Sequence, residues 1–160
     1  MTGAPRDPAA VLGEWYAGEV GGEALFWHLA SSAAPEHART WLALAAVEAR
    51  TGVRLREALV AANFVVPDVA ESLVEARERA GAVANRSWLA QMEWLEDVAS
   101  DALAGMSADA ERLPAPFAAL GAVVVAHERA LVEFALRERA GETASSLAPI
   151  ERFLEATAAA

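Results

Sequence analysis

The chain has 160 residues, of which 55% are hydrophobic and 22% are charged, and its formal net charge is −10. We expect one compact domain over residues 1–160, because this length and composition suit a globular chain with its own apolar core. The negative charge argues against nucleic acid or an anionic membrane surface as a partner. The sequence has no cysteine, which excludes disulfides, thiolate metal ligands and thiol catalysis.

The N-terminal segment MTGAPRDPAAVLGEW lacks the basic start and the apolar stretch of a signal peptide. The most apolar run, LPAPFAALGAVVVA, is shorter than a bilayer-spanning helix and is followed by His127, Glu128 and Arg129. We therefore expect a soluble cytoplasmic protein.

The hydrophobic pattern is helical along nearly the whole chain. Asp7-Pro8 predicts the start of a first long helix that ends near Ala30. Pro35 begins a second long helix, which continues through TWLALAAVEARTGVRLREALVAAN and ends at FVVPD. A shorter charged helix, DVAESLVEARERA, is predicted within the roughly twenty residues that lead to the next long helix.

Ser87 is the predicted cap of a third long helix, WLAQMEWLEDVASDALAGM. The segment SADAERLPAP then turns the chain into a fourth long helix, from about Phe117 to Ala140, which Gly141 ends. A short C-terminal helix, APIERFLEA, follows. No strand and no internal repeat are predicted.

The lengths of the connections predict the topology. Short turns join the first and second long helices and the third and fourth, so each pair is expected to be antiparallel. The long middle connection can cross the whole bundle, which leaves the second and third long helices parallel. We therefore predict an all-α fold: a ferritin-like four-helix bundle with a short helix in the long crossover and another at the C-terminus.

Acidic side chains interrupt the apolar faces of these helices. With about 100° between successive residues, Glu19 and Glu23 lie near the centre of the apolar face of the first helix. Glu48 lies in the middle of the apolar face of the second helix, and His127 and Glu138 lie within that of the fourth.

The position of these residues along the helices indicates a common depth. Glu19 lies some fourteen residues before the first turn and Glu48 about as many after it, so a rise of about 1.5 Å per residue brings both to one level. His127 is midway along the fourth helix, and Glu23 is one turn from Glu19. We therefore predict an interior cluster of Glu19, Glu23, Glu48 and His127. Because buried unpaired charge is very costly, the cluster must be protonated, paired with histidinium, hydrated or bound to a metal.

This arrangement resembles the ferritin-like superfamily, most closely its rubrerythrin-type branch. The matching segments are GEALFWHLA, LALAAVEARTGVRL and VVAHERALVEFALRERAGE. The resemblance implies a carboxylate-bridged pair of metal ions in mid-bundle, held by one Glu from each of two helices and a Glu-x-x-His motif from each of the others. In that scheme Glu19 or Glu23 matches the ligand of the first helix and Glu48 the glutamate of the second.

The sequence departs from the family's ligand set. Thr51 stands three residues after Glu48, and Leu131 three residues after Glu128, where the family has histidine. No Glu-x-x-His occurs anywhere in the chain, so ferroxidase or oxygenase activity is not inferred, and whether the protein is an enzyme stays open. The predicted metal ligands are Glu19, Glu23, Glu48 and His127. The side chains expected to support these ligands are Thr51, Gln91, Glu128 and Glu138.

Three functions fit the interior cluster. In the first, the bundle binds one or two divalent ions; the oxygen-rich site favours iron or manganese and is also compatible with magnesium or calcium. In the second, equal alternative, no cofactor is bound, and the bundle is a non-catalytic interaction or assembly module that keeps its glutamates protonated. In the third, the carboxylates form the polar end of a pocket for a small apolar ligand. A homodimer, which is common among such bundles, is the expected assembly.

Overall fold

The computed structural model describes residues 6–158, and all regular structure in that range is helical. The α-helices are α1 (Pro8–Ser32), α2 (Pro35–Ala61), α3 (Ala70–Val83), α4 (Trp88–Ala110), α5 (Ala118–Arg139) and α6 (Ala148–Ala158), with a 3₁₀ turn at Ala115–Phe117 before α5. None of these helices has both the length and the apolar character needed to cross a membrane. Residues 1–5, on which the signal-peptide prediction partly rests, and residues 159–160 of the predicted domain lie outside the described residues.

The helices begin where the sequence provides capping groups. The Asp7 carboxylate accepts a hydrogen bond from the backbone N–H of Ala9 at 3.1 Å, and the Ser87 hydroxyl accepts one from that of Ala90 at 3.3 Å. These bonds satisfy N–H groups that have no partner inside the first helical turn. The chain leaves α5 through Gly141, whose φ of 79° is in the left-handed region. The prediction of an all-α fold is confirmed.

Helices α1 and α2 pack side by side in opposite directions. Gly22 of α1 lies against Glu48 of α2, and Gly52, further along α2, lies against Glu19, which is earlier in α1. The turn between the two helices is only two residues long, since α1 ends at Ser32 and α2 begins at Pro35.

Helices α4 and α5 form a second antiparallel pair. Gly121, near the start of α5, packs on Ala110 at the end of α4, and Trp88 at the start of α4 donates a 2.7 Å hydrogen bond from Nε1 to Glu138 near the end of α5. Trp88 also stacks on His37 with ring centroids 3.9 Å apart. Since His37 is near the start of α2, helices α2 and α4 begin at the same end of the molecule.

Helix α3 packs along α1 and carries the chain between these two pairs. Pro67, just before α3, lies next to Gly13, and Ser72 in α3 lies next to Gly21. Gly13 precedes Gly21 in α1 just as Pro67 precedes Ser72, so α3 runs parallel to α1. It therefore returns the chain from the end of α2 to the start of α4.

The core consists of two apolar clusters. The larger one contains Trp41 and Phe134 and draws on α1 to α6, and the smaller one contains Leu12 and Leu55. On α1, α2 and α5, buried polar residues lie between the parts of the helix that belong to the two clusters. They form a polar layer of Glu19, Glu48, Thr51, His127 and Glu128.

Truncation of the larger cluster should be costly. Phe134 is fully buried, whereas Leu136, two positions later, is 47% exposed. We expect Phe134→Ala to lower the free energy of unfolding by about 3–5 kcal/mol, because it leaves a cavity in a close-packed cluster. We expect Leu136→Ala to change it by about 0.5 kcal/mol or less. Urea denaturation followed by circular dichroism measures both values, and equal losses would contradict the packing of α5.

Candidate metal centre

Three of the four residues of the predicted interior cluster meet in the polar layer between the two apolar clusters. Glu19 comes from α1, Glu48 from α2 and His127 from α5, and none is more than 6% exposed. One atom of each side chain that is able to bind a metal lies within 4.8 Å of those of the other two. The convergence of Glu19 and Glu48 agrees with their equal distances from the α1–α2 turn.

The imidazole of His127 lies between the two carboxylates. Its Nδ1 is 3.0 Å from Oε2 of Glu19, and its Nε2 is 3.4 Å from Oε1 of Glu48. Neither approach has the directionality of a hydrogen bond: both ring nitrogens and both Glu19 oxygens are buried without a hydrogen-bonding partner within residues 6–158. Such atoms are rare in folded proteins and costly. Their charges therefore need compensation from a bound ion or from protons.

Two glycines provide the space that the carboxylates occupy. A Cβ atom at Gly22 would lie 2.6 Å from Cδ of Glu48, and one at Gly52 would lie 3.4 Å from Cβ of Glu19. Each glutamate thus packs on a glycine of the facing helix. This reciprocal pairing lets α1 and α2 approach closely at the level of the polar layer.

Burial and mutual interaction set the charge of the group. Burial raises the pKa of Glu48 to about 8, with His127 opposing the shift and Glu19 adding to it. Burial acts to lower the pKa of His127, but Glu19 and Glu48 outweigh it and raise this pKa well above its usual value. Burial also raises the pKa of the adjacent Glu128 to about 7, with His127 opposing and Glu48 reinforcing the shift. The metal-free group therefore holds protons at neutral pH.

Glu23 does not belong to this convergent group. Its side chain is half-buried, and within residues 6–158 the group comprises Glu19, Glu48 and His127. Glu23 lies about 40° further round α1 than Glu19. This places it beyond Leu12 and Ala30, at the edge of the buried face of α1.

Two of the predicted supporting residues have other partners. The Gln91 side-chain amide donates hydrogen bonds to the backbone carbonyls of Ala84 and Arg86 at 3.2 and 2.9 Å, which secures the connection between α3 and α4. Glu138, bonded to Trp88, is roughly 16 Å along α5 from His127, given about 1.5 Å per residue.

Thr51 and Glu128, the other two supporting residues, are buried beside the group. Thr51 lies one turn after Glu48, and its hydroxyl has no hydrogen-bonding partner among the described residues. Glu128 follows His127 in α5 and is 6% exposed. Positions 127 and 128 point about 100° apart, and both are buried because α5 packs on α2 and on α4 at the same time.

A cavity of about 280 Å³ adjoins the group between α1, α3 and α4. Glu19, Glu48 and Glu128 lie in its wall, whereas His127 is behind them and does not line it. The rest of the wall is largely apolar, with contributions from Phe26, Leu95, Val98, Met106 and Leu131. The carboxylates therefore form the polar end of a cavity whose body is apolar.

In comparisons with known proteins, the chain matches no protein-family model, no curated protein and no solved structure. The chemistry of the site is therefore the available indication of function.

The raised pKa values predict how the stability of the metal-free protein depends on pH. The folded state keeps a proton on Glu48 up to about pH 8, whereas the unfolded chain releases it near the ordinary glutamate pKa of 4.5. Stability should therefore fall as the pH rises through this window. We expect Glu48→Gln to flatten this dependence and, near pH 8, to be more stable than the parent by on the order of 2–4 kcal/mol.

Chemical denaturation in the presence of a chelator, at several pH values, measures this dependence. His127 and Glu128 contribute in the same direction, so the variant should keep part of the slope. The exposed Glu57 on α2 provides the matched control Glu57→Gln, which should leave the slope unchanged. Identical pH profiles for Glu48→Gln and the parent would contradict the charge state described for the group.

The close approach of α1 and α2 can be tested with two glycine variants of the same helix. No atom lies within 4 Å of a Cβ placed at Gly18, so Gly18→Ala should gain about 0.5–1 kcal/mol from helix propensity. Gly22→Ala has the same gain but displaces the Glu48 carboxylate from His127. We expect the second variant to fold and to be less stable than the first by about 1–2 kcal/mol. Equal thermal and urea stabilities of the two would refute the close packing at Gly22.

Proposed function

We propose that the protein binds one divalent transition-metal ion, iron or manganese, through Glu19, Glu48 and His127. The observation that carries this proposal is the convergence of three buried ligand side chains, in which the Glu19 oxygens and the His127 nitrogens lack hydrogen-bonding partners among the described residues. Carboxylate oxygens with a single imidazole suit these metals. The two positive charges of the ion would balance the carboxylates of Glu19 and Glu48.

The position of His127 suits a metal-binding histidine whose ring is oriented by a carboxylate. One ring nitrogen can bind the ion while the other faces a glutamate, an arrangement that commonly fixes the orientation of metal-binding histidines. Three protein ligands leave further coordination positions open, and two of these ligands, Glu19 and Glu48, lie in the cavity wall. A bound ion would supply Lewis-acid or redox chemistry to a molecule in that cavity.

We also propose that α1, α2, α4 and α5 form a ferritin-like four-helix bundle. Support comes from the two antiparallel pairs, from the shared end at which α2 and α4 begin, and from α3, which carries the chain back along α1. Thr51 and Leu131 occupy the positions where the superfamily's di-metal set has histidines, and α4 provides no side chain to the convergent group. The proposal is therefore a site for one ion and not for two.

The same contacts also suit a metal-free group. The 3.0 and 3.4 Å approaches place one imidazole nitrogen near each carboxylate, as expected for a protonated His127 between Glu19 and Glu48. In that case the protein is a non-catalytic interaction or assembly bundle. The two functions differ in whether the isolated protein contains metal.

Metal content is the first test. We expect protein purified without chelator or nickel resin to contain near-stoichiometric iron or manganese by inductively coupled plasma mass spectrometry, because the ion offsets the buried carboxylates. Glu48→Gln and His127→Gln should lose it. Glu23→Gln is the matched control, since Glu23 lies one turn from Glu19 but outside the convergent group, and it should keep the metal.

Thermal unfolding gives an independent measurement. At a free-metal concentration of about one hundred times Kd, ferrous or manganous ion should raise the Tm of the metal-free parent by about 5–10 °C. Glu19→Gln and Glu48→Gln should show no such increase. Absence of metal from the purified parent, together with no change in Tm on adding either ion, would overturn the proposal in favour of the metal-free group.

A further inference from the structure

We propose that the cavity between α1, α3 and α4 binds a small organic amine, whose ammonium group pairs with Glu128 and whose apolar body occupies the rest of the cavity. The proposal stands on Glu128 and the cavity walls. It holds whether or not the neighbouring group binds a metal ion.

Glu128 is the carboxylate that the group itself leaves without a partner. The two nitrogens of His127 face Glu19 and Glu48. In the described part of the chain, the Glu128 side chain makes no hydrogen bond or ion pair, although only 6% of the residue is exposed. It lies in the cavity wall, so its natural partner is a positively charged group inside the cavity.

Counting charges gives the same result for both states of the group. Without metal, the positive charge of a protonated His127 is shared between Glu19 and Glu48. With a divalent ion, the two carboxylates balance the ion. In each state Glu128 has no cationic partner of its own among the described residues, and a monocation in the cavity would pair with its ionised form.

The apolar walls of the cavity favour a ligand whose ammonium group is attached to an apolar body. Leu95, Val98, Ala99 and Leu131 line the cavity, and α1 presents glycine there. At Gly18, no atom lies within 4 Å of a Cβ position, so the space beside α1 is open. A volume of about 280 Å³ exceeds the roughly 150 Å³ of an engineered cavity that binds benzene. It is therefore large enough for a six-membered ring with a short chain.

Among the described residues that line the solvent side of the cavity, no unpaired cation would repel an amine. Arg79 and Glu75 of α3 line this side, and their side chains are largely exposed. The Arg79 guanidinium pairs with the Glu75 carboxylate at 3.7 Å. The Glu128 carboxylate at the inner end of the cavity thus favours a positively charged ligand.

Three compounds with the same body and different heads test this inference: phenethylamine, 2-phenylethanol and 3-phenylpropanoate. Isothermal titration calorimetry on the full chain, metal-free and manganese-loaded, measures their binding. We expect the amine to bind about tenfold or more tightly than the alcohol, because it forms a buried charge-assisted hydrogen bond. The propanoate should not bind, since its carboxylate would face Glu128.

Two variants and a control assign the binding to this cavity. Glu128→Gln should remove the preference for the amine over the alcohol. Gly18→Leu should fill the open space and weaken binding of both compounds, and it should remain folded because it replaces a glycine within a helix. Glu78→Gln changes an exposed glutamate of α3 that is not among the residues lining the cavity, and this variant should bind the amine as the parent does.

These measurements test amine binding in the cavity independently of metal binding by the neighbouring group. Failure of phenethylamine to bind saturably, binding no tighter than that of the alcohol, or undiminished binding to Glu128→Gln would overturn the inference. Amine binding by the metal-free parent that is lost in Glu128→Gln would sustain it, even if Glu19→Gln and Glu48→Gln show that no metal is held.

Discussion

An imidazole that no solvent reaches, placed between two carboxylates, is the constraint on which the centre of this protein depends. His127 can lie there only if α1 and α2 bring Glu19 and Glu48 to the same depth and leave room for both side chains. The glycines at positions 22 and 52 provide that room. At the level of the polar layer, the spacing of these two helices is thus set by glycines, each opposite a glutamate, and not by large apolar side chains.

This polar layer divides the apolar interior, and the two parts have different roles. The clusters around Trp41 and Leu12 bury the large side chains and provide most of the favourable free energy of folding. The layer between them opposes folding when it is charged and without an ion. A helical protein with two such clusters can hold a costly group between them, because its large apolar side chains are buried within the clusters and not within the layer.

Much of the architecture could be predicted from the sequence because local signals determine it. Asp7 and Ser87 cap helices, Pro35 begins one, and Gly141 follows the end of another, so all the predicted helices are present with ends shifted by a few residues. The meeting of Glu19 with Glu48 followed from counting residues on either side of a short turn. These inferences need only the helical rise and the direction of the chain.

The site was harder to predict because helical periodicity does not show which neighbours surround a helix. Glu23 was expected inside, but the buried face of α1 ends just before it. Glu128 was expected only to support the ligands, yet α5 packs on two sides and buries it in the cavity wall. One signal was present in the sequence: Gly22 and Gly52 lie in mid-helix, where glycine is unfavourable unless another group must approach closely.

The glycines of α1 also determine how this protein would respond to selection. Gly18 and Gly21 lie in the wall of the cavity, where a Cβ at Gly18 would meet no atom within 4 Å and one at Gly21 would make ordinary contacts of 3.5 Å with Ser72. Replacing each by alanine would gain about 0.5–1 kcal/mol of helix stability. Selection for heat resistance alone would therefore narrow the cavity before it altered the core. Retention of glycine at these positions in variants selected for ligand binding, and its loss in variants selected only for stability, would reveal a trade-off between the two properties along a single helix.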